Sequence, residues 1–138
     1  MQDFNVHDYL NTVWEKGDLD KISNFVSNDC VFRDVSGRVR LQGINDLTSN
    51  LRQWYEVFED PRVELRRFFS DQSLSTICWD WVLSVKPSIA RNGQDKGARI
   101  NIYGITIGTI ADGKIVEEVN CTDMKELIDL IEGRREWA

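Results

Sequence analysis

Near Pro61 the chain changes the spacing of its apolar residues, and that change limits the fold more than any single motif. Before it the spacing is mostly helical. Val6, Tyr9, Leu10, Val13 and Trp14 form one stripe, closed by Gly17. Asp18 is a suitable N-cap for a second helix, whose Leu19, Ile22, Phe25 and Val26 share a face. After a short strand over residues 30–35, Ile44, Leu47, Leu51, Trp54, Tyr55 and Phe58 make a third amphipathic helix that Pro61 ends. From residue 62 onward the chain reads as strands, over residues 63–69, 74–85 and 99–110, with 87–97 as a connecting loop. Asp112-Gly113 is a two-residue hairpin turn that folds residues 114–122 back on the preceding strand. Asp123 then caps a last helix, with Met124, Leu127, Ile128 and Ile131 on its inner face. The expected architecture is α+β: a cone-shaped, curved antiparallel sheet packed against three N-terminal helices, with a short C-terminal helix. One domain spans residues 1–138, and the tail from Gly133 has no clear pattern.

Charge and cysteine usage remove several function classes. A net charge of −6 leaves no basic footprint for phosphates, and Arg62, Arg66 and Arg67 are interleaved with Glu59, Asp60 and Glu64. Nucleic acid is therefore not an expected partner. No long apolar run and no charged-then-apolar leader occurs, so neither a membrane partner nor export is expected, and the default compartment is the cytoplasm. Cys30, Cys78 and Cys121 are widely spaced, with no CxxC pair, and fall in strands as small buried hydrophobes. The only histidine, His7, falls off the helical stripe and reads as solvated. With no His cluster and no metal-ligand spacing, neither metal nor cofactor is expected.

The segment Cys30-Val31-Phe32-Arg33-Asp34-Val35-Ser36-Gly37 carries the main chemical signal. Alternation puts Asp34 on one face with Cys30 and Phe32, where an inward strand would bury it. Desolvation disfavours a charged carboxylate, raising its pKa toward values useful for moving protons from carbon acids. On spacing alone the simpler alternative is that Asp34 starts the turn at Val35-Ser36-Gly37. The aromatic residues Trp14, Trp54, Tyr55, Trp79 and Trp81 suit either a core or the wall of an apolar pocket inside a curved sheet.

The order of these elements resembles the nuclear-transport-factor-2-like superfamily, in its SnoaL-like and ketosteroid-isomerase-like branch. The phrases that carry the likeness are Gly17-Asp18-Leu19-Asp20, Asp34 with Gly43 nine residues on, Phe58-Glu59-Asp60-Pro61, and Asp112-Gly113-Lys114-Ile115-Val116-Glu117-Glu118 leading to Asp123-Met124-Lys125-Glu126-Leu127. The resemblance covers residues 5–132. It implies that Asp34 stands where the isomerases keep their general base, against the turn reading. Those enzymes hold the substrate oxyanion with a first-helix tyrosine and a protonated later-strand aspartate, a site that is a standard case of pKa tuning. Here the helix position matches Leu10, with Tyr9 one step off the required direction, and the strand position falls near Thr106. SnoaL-like cyclases pair a histidine near Thr106 with a last-strand aspartate that aligns with Asn120. Each pattern is thus incomplete in this chain, while Asp123 matches a family aspartate that caps the last helix.

Two functions follow as expectations. The first is a cofactor-independent isomerase- or cyclase-like enzyme acting on a small hydrophobic carbonyl compound. Asp34 would be its general base, and Asn120 and Thr106 polar aids to the enolate. Leu10, Trp14, Tyr55, Trp79 and Trp81 would bind the substrate. The second is a small-ligand-binding module of the same fold without chemistry. If Thr106 faces the pocket, the row Arg99, Asn101, Tyr103, Ile105 faces outward, and the resemblance implies a homodimer through that face.

Overall fold

The structure, a computed structural model, describes residues 4–35, 37, 40–87 and 99–123. Helix α1 (Val6–Tyr9) runs into a π-helical turn (Leu10–Glu15), and a 3₁₀ segment follows (Leu19–Asn24). Strands β1 (Val26–Asp34) and β2 (Arg40–Gln42) precede helix α2 (Gly43–Val57). Four long strands complete the described chain: β3 (Phe58–Ser70), β4 (Thr76–Pro87), β5 (Ile100–Ala111) and β6 (Lys114–Thr122). The six strands form one open, curved sheet in the order β2-β1-β6-β5-β4-β3.

Several boundaries differ from those read off the sequence. The second helix is a six-residue 3₁₀ segment, because Val26 already belongs to β1. The third ends at Val57 rather than Pro61. Phe58 opens β3, and Pro61 lies within that strand beside Asp60, whose φ of 49° accompanies a shift of register between Glu59 and Arg62. A proline is tolerated where the ladder is already broken. Nor is the sheet wholly antiparallel: β1 runs parallel to β6, and the other neighbouring pairs are antiparallel. The C-terminal helix and most of the 87–97 loop lie outside the described residues. Cysteine burial is also uneven, with Cys30 buried, Cys78 partly so and Cys121 exposed.

Strand β5 sets the faces of the sheet. Ile102, Gly104, Thr106, Gly108 and Ile110 are buried, while Asn101, Tyr103, Ile105, Ile107 and Thr109 point outward. The inner row packs beneath the first helix, where Val6, Tyr9, Leu10 and Val13 join Cys30, Phe32, Leu47, Leu51, Ile77, Trp79 and Ile115 in the main core. Two glycines make room for two indoles on that face. A Cβ at Gly104 would sit 2.2 Å from the Trp81 ring, and one at Gly108 3.0 Å from the Trp79 ring. Gly104→Ala must therefore push the Trp81 indole off the sheet, at an overpacking cost of roughly 1–3 kcal/mol. Its thermal midpoint is expected to fall clearly below that of Gly108→Ala, where the contact is looser; equal midpoints would contradict this packing.

Candidate active site

Three strands bring the sequence-derived site together. Asp34 on β1 lies beside Asn120 on β6, and Asn120 lies beside Thr106 on β5. Neighbouring strands are about 4.8 Å apart, and directly paired residues point to the same side. Asp34 therefore shares the concave face with Cys30, Phe32, Asn120 and Thr106, and is half-buried at its strand end. The turn after it also exists: the Gly37 N–H donates to the main-chain carbonyl of Asp34 at 3.0 Å. Asp34 thus closes the strand through its backbone while its side chain stays on the inner face.

A buried polar chain extends from this point. The Trp81 indole N–H donates to Thr106 Oγ1 at 2.8 Å, and the Thr106 hydroxyl donates to Asn120 Oδ1 at 2.5 Å. Asn120 Nδ2 donates to Glu118 Oε1 at 3.2 Å, and the Tyr9 hydroxyl donates to Glu118 Oε2 at 3.0 Å. Donor chemistry fixes the direction. An indole N–H can only donate, so the single Thr106 proton goes to Asn120, whose amide nitrogen must then face Glu118. Thr106 has no proton left for a ligand and positions Asn120 instead. Asn120 keeps a second N–H to offer.

Glu118 is the residue that sequence reading missed. It is 2% exposed, and burial pushes its carboxyl up to about 7 against the pull of the Tyr9 and Asn120 donors. Burial likewise raises the Tyr9 hydroxyl well above its ordinary value, helped by the nearby Glu118 charge. Burial, again with Glu118, lifts the Cys30 thiol to about 11, which keeps it protonated and inert. Glu118 faces inward because of a bulge. Ile110 pairs with Ile115 but Thr109 pairs with Glu117, so Val116 is the extra residue and the alternation inverts after it. Unbroken alternation from Ile115 would have buried Glu117 and Val119. Tyr9 also departs from expectation: its ring is fully buried and its hydroxyl reaches β6, so it points into the site, while Leu10 is buried in the main core.

The expected wall residues separate into different settings. Trp81 lies over Gly104 and anchors the polar chain. Trp79 is packed edge-on against Tyr9 and close to Phe4. Trp14 packs at the margin of the core. The Tyr55 hydroxyl is used on the first helix, donating to the carbonyls of Val13 and Trp14, and its ring lies against Gly17. Tyr55 also borders a surface depression of about 390 Å³ with Glu15, Phe58 and Asp60. A second depression, of about 370 Å³, lies near Arg62, Arg66, Asn101 and Tyr103. Neither includes Asp34, Asn120 or Glu118 in its lining. Among the described residues no group of three His, Cys, Asp or Glu could hold a metal ion, and no helix is long and apolar enough to cross a membrane.

Solved structures share this architecture. A candidate SnoaL-like polyketide cyclase from Jannaschia sp. CCS1 superposes with a TM-score of 0.76, at 17% identity over 91% of this chain and 88% of that one. AclR from Streptomyces galilaeus, described as a candidate hydroxylase, gives 0.72 at 19% identity over 93% and 92%. IdmH from Streptomyces antibioticus, described as a candidate polyketide cyclase, gives 0.73 at 14% identity over 89% and 93%. At these identities the likeness is one of fold. No curated protein matches the chain. The profile of the SnoaL-like domain matches residues 6–118, most of the chain, and takes in Asp34, Thr106 and Glu118. The chain belongs to the SnoaL-like domain family.

Proposed function

We propose that the protein is a cofactor-independent isomerase- or cyclase-like enzyme that moves a proton on a small hydrophobic carbonyl compound. The observation that carries this reading is the adjacency of Asp34 and Asn120 on the concave face. A half-buried carboxylate beside an apolar core can take a proton from a carbon acid, and an amide N–H beside it can receive the charge that develops on oxygen. Thr106 and Trp81 act through Asn120 by fixing its amide. Among the resembling structures, those described as candidate cyclases support a cyclase-like chemistry without naming a substrate. Leu10, Trp14, Trp79 and Trp81 supply the apolar surroundings in this reading, and Tyr55 contributes by holding the first helix in place.

The test is deuterium exchange at the α-carbon of a panel of cyclic ketones in buffered D₂O. Exchange above the buffer rate by wild-type protein supports the enzyme. A ketone that binds with no acceleration by wild type supports the binding module instead.

The same reading includes a homodimer through the outer sheet face. Tyr103, Ile105 and Ile107 are 44%, 48% and 46% exposed in one row of β5, with Phe69 on β3 exposed as well. A contiguous apolar strip of this kind is unusual on a monomer. Sedimentation at micromolar concentration is expected to give twice the 16.0 kDa chain mass, and Ile105→Lys is expected to return it to one chain. A wild-type protein that sediments as one chain removes the dimer.

A further inference from the structure

We propose that Glu118 is a proton-dependent positioning residue: in its neutral form it lets Asn120 receive an oxyanion, and in its ionised form it opposes one. The inference rests on the reading of Asn120 as the oxyanion donor, and it concerns how that donor is controlled. Every hydrogen bond in the buried chain points the same way, from Trp81 through Thr106 and Asn120 to Glu118, with Tyr9 donating from the other side. Glu118 is therefore the terminal acceptor. Whatever charge it carries is applied directly to the Asn120 amide.

The surroundings leave that charge unbalanced. From the first helix Glu118 meets the Tyr9 hydroxyl, and from its own strand Asn120. β1 supplies Phe32 as its register partner and the nearby Cys30 thiol. From β5 its partner is Gly108, which has no side chain. Asp34 lies two residues beyond Phe32 on the same face of β1, and it too is an acid. Among the described residues Glu118 has no ion-pair partner. Two neutral donors stabilise an anion there only in part, and burial without a cation favours the proton.

An oxyanion forming on the free N–H of Asn120 would place a second negative charge within one side chain of the first. Like charges at that range in a buried site exclude one another, so formation of the oxyanion requires Glu118 to hold its proton. Ionised Glu118 already occupies one N–H of the amide and lowers the amide's capacity to donate from the other. In the proposed reaction the proton on Glu118 does not move to the substrate. It keeps the net charge of the buried chain low while Asp34 takes the α-proton.

Two readouts test this separately from the enzyme reading. The first uses resting protein alone: carbon-13 NMR of the Glu118 carboxyl with nitrogen-15 NMR of the Asn120 amide, followed between pH 4 and 9. The Glu118 signal is expected to titrate near neutrality, and the Asn120 amide to follow the same midpoint. Glu118→Gln should abolish the Asn120 response. Tyr9→Phe, which removes a donor to the ionised form, should move the midpoint up by about one unit, and it keeps the test open if Glu118→Gln does not fold. A Glu118 midpoint in the ordinary carboxylate range, or an Asn120 amide that ignores it, overturns the inference. The second readout is the pH profile of ketone exchange. Wild type should fall through the Glu118 midpoint, and Glu118→Gln should lose the fall. A fall that persists in Glu118→Gln also overturns the inference. If wild type catalyses no exchange, the enzyme reading fails and the NMR titration alone decides whether Glu118 controls Asn120.

Discussion

Asp34→Asn is expected to lower α-proton exchange by about 10²–10⁴-fold, the usual contribution of one positioned general base. The substitution keeps the shape of the side chain and its place at the end of β1, beside Asn120. It removes only the basic oxygen, so affinity for a ketone ligand should change little while the rate collapses. Asn120→Ala should cost less, roughly 10²-fold, because water can occupy part of the space of a missing oxyanion donor. Thr106→Val keeps the volume but strips the hydroxyl that links Trp81 to Asn120. Its effect should fall below that of Asn120→Ala, since the amide stays present but loses one of its two anchors. An order in which Thr106→Val costs more than Asp34→Asn would show that the site had been assigned to the wrong carboxylate.

Much of this arrangement is legible in the sequence because β5 alternates without interruption from Asn101 to Ile110. Its inner row follows from Thr106 and its outer row from Tyr103 and Ile105, with no three-dimensional information. The Asp112-Gly113 turn, with φ of 53° and 75°, then fixes the pairing of β5 with the start of β6. Past that turn the reading loses its phase. The bulge at Val116 turns Glu118 inward, and a period of two cannot announce an inserted residue. Family likeness, rather than alternation, is what points to Asn120. Tyr9 illustrates a second limit. Its place on the apolar stripe is plain, but a helical stripe says that a residue is buried and not which strand its hydroxyl will meet. A tyrosine on a buried stripe and a glutamate on a central strand are each costly unless paired. Two such residues without partners in the sequence are a signal that could have joined them. The parallel pairing of β1 with β6 is also hidden, since it joins elements about 80 residues apart and leaves no turn motif between them.

Glu118 should also leave a mark on folding stability that needs no substrate. The folded protein holds its proton up to about pH 7, whereas an ordinary glutamate, as in the unfolded chain, releases it near 4.5. Between those values the folded state binds a proton that the unfolded state lacks, so stability falls as pH rises. Each pH unit of that interval is worth about 1.4 kcal/mol, and the whole of it about 3 kcal/mol. The stabilisation is complete below pH 4.5 and gone above the folded-state midpoint. For a domain of this size it corresponds to roughly 10 °C in thermal midpoint. One carboxylate acts in the opposite sense. Asp71 is held below its ordinary value by the Ser75 hydroxyl and by the Thr76 and Ser75 amides, so it favours the fold at higher pH. Such groups are common to wild type and Glu118→Gln and cancel in their difference. The amide introduced by Glu118→Gln cannot ionise and mimics the neutral carboxyl, with the Tyr9 hydroxyl free to rotate and accept from it. Urea unfolding of both proteins from pH 4 to 8 is therefore expected to give curves that diverge. Wild type should lose about 3 kcal/mol relative to Glu118→Gln as pH rises from 4.5 to about 7, and the two should run parallel outside that window. Curves that stay parallel throughout would mean that Glu118 ionises in the folded core where it does in the unfolded chain, near 4.5, and that its charge has a counterpart able to hold it there.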